Sequence, residues 1–214
     1  MITEKMLDAL REELSHKMSP KRFRHTAEVE KMAERLGCIY APEKIAVLRA
    51  AALLHDITKE YPIDRHILIC AQKGLEVSRC DLYAPKTFHA RTAAALIPEL
   101  YPDLADDEII SCVRWHTTGR AGMSICEQIV YLADYIDMSR TFEDCVTLRN
   151  FFFDKDPENM DKTQALDHLR DTMILSFDMT LSILSEEGVP ISVDTLNARN
   201  YFICEKLARQ AEAI

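Results

Sequence analysis

The chain has 214 residues, 48% hydrophobic and 29% charged, which suits one globular domain or one domain with an added helical piece. Its net charge of −9 argues against a general nucleic-acid or anionic-membrane binder, which needs a basic footprint. A small anionic substrate stays open, because a bound metal inverts the local charge.

The N-terminal stretch MITEKMLDALREELSHK is amphipathic and charged and carries no apolar signal core. Ser19-Pro20 reads as an N-cap followed by proline at the first helical position, with Gly37 as the cap ending that helix. Pro42 opens the next helix, which carries residues 45–56. Pro62 opens another, ended near Gly74. Helices follow from about Thr87 to Ile97, stopped by Pro98, and from Asp106 or Asp107 to His116. Ser124 and Glu127 have the spacing of a capping box that opens a helix through Met138. A long helix spans Thr163 to Glu187, ended by Gly188 and Pro190, and Asp194 caps a last one. The chain is therefore expected to be all-α. Residues 1–152 form its core, and 153–214 form a C-terminal helical extension packed on it, together one structural domain. The stretch FDKDPENMDK (153–162) is the expected linker. No apolar run approaches a membrane span. Seven cysteines, none in a CxxC pair, read as reduced thiols of a cytoplasmic protein.

Chemistry enters with the polar residues on the apolar stripes. His25 shares a helix face with Val29, Met32 and Leu36; His55 follows Leu48 and Ala52, with Asp56 beside it. His116 follows Ile109 and Val113, and Asp134 follows Val130. Burying an ionisable group is costly unless something pairs with it. Several such groups facing inward from different helices satisfy one another around a cation. Imidazole nitrogen with carboxylate oxygen suits iron, manganese, zinc or similar divalent ions. Asp56, with two oxygens, has the means to bridge two of them. His16, His66 and His168 lack that company and read as ordinary histidines.

The ordered series His25, His55-Asp56, His89, His116, Asp134 resembles the HD-domain metal-dependent phosphohydrolases. The stretches RFRHT (22–26), AALLHDITK (51–59), WHTTGR (115–120), YLADYID (131–137) and NARN (197–200) resemble more closely the YqeK family of bacterial HD hydrolases. The resemblance implies an HD-domain helical bundle with additional C-terminal helices. It also implies symmetrical cleavage of diadenosine tetraphosphate into two ADP by a water activated on two metals, most simply iron, with manganese or cobalt as substitutes. In the ligand set it implies, His25, His55, Asp56 and Asp134 hold one metal. Asp56, His89 and His116 hold the second.

Substrate contacts are less specific. Lys59, three to four residues beyond the His-Asp pair, reads as a phosphate clamp or leaving-group stabiliser if the helix continues to it, and with Asp56 is the expected catalytic residue. Thr117, Thr118, Gly119 and Arg120 follow His116 and suit phosphate oxygens, Gly119 by permitting a close backbone approach. Arg140 is a candidate to reach a second phosphate, and His25 and His89 are expected to contact the substrate as well. Asp137 is a candidate to orient a ligand, and Asn200 to fold back on the site. Trp115, Tyr131 and Phe88 read first as core packing, with adenine stacking as the alternative. The family usually reads LHGPVGA around the third histidine, whereas this chain reads FHARTAA (88–94), and Arg91 is expected to point outward. The alternatives to the tetraphosphatase are another HD nucleotidase and a non-hydrolytic nucleotide-binding HD module. The expected partner is a small dinucleoside polyphosphate, with no nucleic acid and no membrane, and a homodimer stays open.

Overall fold

The computed structural model describes residues 2–212 and is built from helices and turns, with no strand among the described residues. The helices are α1 (Glu4–Lys17), α2 (Pro20–Tyr40), α3 (Ile45–Leu54), α4 (Ile63–Gln72), α5 (Arg79–Leu82) and α6 (Phe88–Leu100). They continue with α7 (Asp107–Trp115), α8 (Ile125–Ile136), α9 (Glu143–Phe153), α10 (Lys162–Glu186) and α11 (Val193–Glu212).

At the centre lies α3, whose Leu48 and Ala50 to Leu54 are all fully buried. A helix apolar on every side belongs inside, and α1, α2, α7 and α8 wrap it. Its alanines let those neighbours approach closely. Gly37 serves the same end, and here the structure corrects the sequence reading. The α2 helix does not stop at Gly37 but runs on to Tyr40. A Cβ on Gly37 would lie 2.8 Å from Leu48 Cδ1, so this glycine is a contact point between two helices. A buried carboxylate, Glu30, ties α1 and α3 to α2. It takes two 2.7 Å bonds from Arg11 and one of 2.9 Å from Arg49.

Local capping rules hold at Ser19, whose hydroxyl accepts from Arg22 N, and at Ser124, where the reciprocal Glu127 box is formed. Besides Gly37 other boundaries differ from expectation, and α8 ends at Ile136 before reaching Met138. The α3 helix ends at Leu54, and residues 55–60 continue as tight turns. The α6 helix absorbs Pro98 in its last turn. Ser192, not Asp194, accepts the first free amide of α11. Two helices escaped the sequence reading, the one-turn α5 and α9. The latter opens on Phe142 with no side-chain cap. The expected linker is a short turn with Pro157 buried and Glu158 paired to Arg35 of α2 at 2.7 Å.

One apolar cluster runs from Leu7 of α1 to Phe202 of α11. Phe177 of α10 fastens the C-terminal helices to it, its ring 5.0 Å from Tyr131 and 6.0 Å from Phe202. Phe177→Ala is expected to lower the unfolding free energy by about 3–5 kcal/mol. In denaturant titrations, circular dichroism and Trp115 fluorescence should report one shared transition. Two separated transitions would contradict a shared core.

Candidate metal centre

Six side chains from five segments converge below the surface. From α2 comes His25, and from the turn after α3 come His55 and Asp56. His89 lies in the first turn of α6, His116 follows the last residue of α7, and Asp134 is on α8. The four histidines and Asp56 are buried.

Asp56 is the hub, and its two oxygens face opposite ways. Oδ2 lies 3.3 Å from His55 Nε2 and 3.7 Å from His25 Nε2. Oδ1 lies 3.3 Å from His89 Nε2 and 3.9 Å from His116 Nε2. Asp134 Oδ1 closes the first group, 3.0 Å from His25 Nε2 and 3.8 Å from His55 Nε2. In the second group His89 and His116 bring their Nε2 atoms to 3.0 Å.

Backbone carbonyls set the tautomers. His55 Nδ1 donates to Ala52 O at 2.6 Å and His116 Nδ1 to Val113 O at 2.7 Å. Each Nε2 is thereby left with its lone pair turned inward, the arrangement of a metal-ligating imidazole. His25 Nδ1 lies 3.2 Å from the fully buried Asp137, so a carboxylate backs this ring as well. That is the orienting place foreseen for Asp137.

Charges follow the geometry. Burial pushes the Asp56 carboxyl up, but His55 and Lys59 outweigh it and hold it well below the usual range. Burial likewise opposes ionised Asp134, and Arg140 and His25 prevail. Burial, with the neighbouring Lys59, keeps His89 neutral. Burial and His55 pull His116 down to about 4. Burial also works against a charged His25, yet Asp134 and Asp137 raise it to about 9. Two carboxylates and the neutral rings of His89 and His116 make a nitrogen-rich cage in which a metal ion would displace the proton of His25. The buried atoms His25 Nε2, His55 Nε2 and Asp56 Oδ1 have no hydrogen-bond partner. Leaving such atoms unsatisfied is costly, and a divalent cation satisfies all of them. His25, His55 and Asp134, and again His55, Asp56 and His116, offer donor atoms within 4.8 Å of one another. The cluster fits a divalent metal.

The residues foreseen around it divide. Lys59 Nζ lies 3.1 Å from His89 Nε2 and 3.9 Å from Asp56 Oδ1, reached by tight turns and not by a continuing helix. Thr117 Oγ1 lies 3.1 Å from His89 Nε2. The Arg140 guanidinium bonds to the carboxylate and the backbone carbonyl of Asp134. Lys59, Thr117 and Arg140 border one cavity with Tyr131.

Thr118, Gly119 and Arg120 are not brought there. Thr118 faces a different cavity. Gly119 has φ +63°, and a Cβ on it would lie 2.7 Å from Phe177 Cζ, so the close approach it permits is to α10. Arg120 bonds at 3.1 Å to the buried Glu127, tightening the start of α8. Asn200 is exposed on α11. Arg91 turns away to Asp81 and the Glu76 carbonyl. Trp115 stacks under Arg114 at 3.9 Å, and Phe88 is buried beside His66. His66 and His168 hydrogen-bond within the core, and His16 is exposed.

One participant escaped the sequence reading. Arg22, one turn before His25, bonds to Asp56 Oδ2 and leaves its Nε buried without a partner. Its spacing of three from His25 put it on the right face, but no local rule ties it to a carboxylate 34 residues away.

Comparison with known proteins agrees with this geometry. A family model described as the HD domain matches residues 22–139. The chain is 28% identical over 194 residues to the symmetrical bis(5'-nucleosyl)-tetraphosphatase of Bacillus subtilis, covering 89% of this chain and 94% of that one. To the protein of the same name from Halalkalibacterium halodurans it is 29% identical over 187 residues, covering 86% and 90%. A crystal structure of a predicted HD superfamily hydrolase involved in NAD metabolism, from Clostridium acetobutylicum, is 29% identical. It superposes with a TM-score of 0.78 over 92% of this chain and 97% of that one.

Metal should stabilise the fold by mass action, by about 2.7 kcal/mol at a free concentration one hundred times Kd. Anaerobic ferrous ion or manganese is therefore expected to raise the melting temperature of chelator-stripped protein. In His55→Ala most of that rise should vanish. An equal rise in both proteins would contradict metal binding at this cluster.

Proposed function

The chain belongs to the HD-domain family, and on that footing we infer that it is a YqeK-type hydrolase cleaving diadenosine tetraphosphate symmetrically into two ADP. The observation that carries the reading is Asp56, buried, with one oxygen turned to each of two histidine pairs. In this assignment His25, His55, Asp134 and one oxygen of Asp56 hold one ion. The other oxygen of Asp56, with His89 and His116, holds a second. The histidine-rich donor set favours iron, with manganese or cobalt as substitutes. Divalent ions bound there supply Lewis acidity, which acidifies water and neutralises charge on phosphoryl oxygens.

The surroundings suit a substrate with two nucleoside ends. Two cavities meet over the cluster and share Lys59 and Arg140 in their walls. One, of about 250 Å³, is lined by Tyr131, Tyr135 and Ile183 as well as His116 and Asp134, and gives a nucleoside an apolar bed. The other, of about 430 Å³, collects Lys21, Arg22 and Arg24 beside His25, with the exposed Phe142 on its wall. Its basic side chains, in a chain of net charge −9, suit a lobe that borders the polyphosphate. The phosphates lie across Lys59 and Arg140, and the adenosines point into the two lobes. Water adds to one of the two central phosphorus atoms. The bond from that phosphorus to the bridging oxygen breaks, the second ADP leaves with that oxygen, and protons pass to solvent. Lys59 stabilises the leaving phosphate, and Arg22 and Arg140 hold the carboxylates in place while contacting phosphate at their free edges. The acidic surface and seven free thiols suit a reducing cytoplasm.

Incubation of the iron-loaded protein with diadenosine tetraphosphate, without air, should yield ADP as the sole nucleotide product by chromatography. AMP with ATP would mean asymmetric cleavage and contradict the assignment. For Lys59→Met, kcat is expected to fall about 10²–10³-fold at unchanged metal content, the usual cost of one donor to developing phosphoryl charge. A fall of less than tenfold would remove Lys59 from that role.

A further inference from the structure

A separate cavity of about 520 Å³ opens from the same turn that carries Thr117. Thr117 lines the lobe over the metal cluster, whereas Thr118 lines this one, with Ser78, Arg91, Arg114 and Ser192. None of its lining residues is shared with the two lobes over the cluster.

Arg114 is the unusual member. It projects from α7, is partly buried, and stacks on the Trp115 ring at 3.9 Å. Among the described residues no carboxylate pairs with it. Burial and the nearby charge of Arg91 pull its pKa down, and Asp194 and Asp81 counter that from a distance. A second guanidinium thus stands near a first that has no counter-ion, a cost that an anion would remove. Arg91 is itself partly compensated by Asp81 at 3.3 Å. Asp81 in turn is held by the Ser78 amide at 2.7 Å, inside the capping box of α5. The serines also have hydrogen-bonding capacity in reserve. Ser78 Oγ accepts from the Asp81 amide at 3.2 Å and Ser192 Oγ from the Asp194 amide at 3.3 Å, so both hydroxyl protons are free to donate. Glu76, exposed at the rim, and Asp194 are carboxylates there that form no ion pair among the described residues, and both oppose anion entry.

We propose that this cavity is a second anion site, distinct from the hydrolytic centre, which takes a phosphate group through Arg114, Arg91 and the hydroxyls of Ser78 and Ser192. Guanidinium groups with hydroxyl donors are the usual setting for phosphate. The donors suit free phosphate and the phosphate of a monoester alike.

Trp115, the chain's single tryptophan, lies directly under Arg114 and serves as the reporter. Inorganic phosphate would be titrated into metal-loaded protein at constant ionic strength while its fluorescence is followed. A saturable change is expected in the native protein and in Lys59→Met, whose substitution lies at the other site. Arg114→Met should abolish it, and Asp194→Asn should tighten binding several-fold by removing the opposing charge. No saturable change, a change that survives Arg114→Met, or one lost in Lys59→Met would overturn the proposal. Should Arg114→Met fail to fold by circular dichroism, Asp194→Asn decides, since unchanged or weaker binding there would also overturn it. A parallel titration with AMP separates the sources: tighter binding than phosphate identifies a nucleotide-borne group, and equal or weaker binding the free ion.

Discussion

Asp56 is a carboxylate taken almost entirely out of water, 3% exposed, and the site is organised around keeping it charged. Isolated in an apolar interior such a group would take up a proton. Here Arg22 reaches Oδ2, Lys59 lies 3.9 Å from Oδ1, and imidazoles surround the rest. The positive charge within reach belongs to long side chains at the rim. Three atoms facing the centre, His25 Nε2, His55 Nε2 and Asp56 Oδ1, have no hydrogen-bond partner among the described residues. A centre that holds negative charge and inward lone pairs is organised for cations.

The helices reach this point by a repeated device. His55 is the residue after the end of α3, and His116 the residue after the end of α7. Each donates Nδ1 to the carbonyl three residues back, on Ala52 and Val113. The last turn of each helix thus orients its own ligand without help from another segment. Both helices end at the cluster, and the negative end of a helix favours a cation there. The core position of α3 serves the same need, since a helix running through the interior delivers the residues after its end there.

The parts of this legible in the sequence are those that local rules govern. Histidines and aspartates on apolar stripes stood out because burial of such groups demands a reason, His89 came with the ordered series, and all six converge. The caps at Ser19 and Ser124 are local events, and both were readable. Gly37 was misread because what it does depends on Leu48 of a neighbouring helix. The α9 helix was missed because Phe142 offers no capping oxygen. Residues 117–120 were read as one phosphate loop, yet beyond the end of α7 the chain turns. Successive side chains then face the metal-side lobe, the second cavity, Phe177 and Glu127. Arg22 depended on a partner far along the chain, which spacing does not encode.

The central claim is that Asp56 joins two metal positions. The most direct measurement is metal content per chain, by elemental analysis of protein loaded with ferrous iron under anaerobic conditions and freed of excess. The account predicts two ions per chain, falling to one or none in Asp56→Asn while circular dichroism shows the helices retained. One ion or none in the native chain, or two still bound in Asp56→Asn, would contradict it.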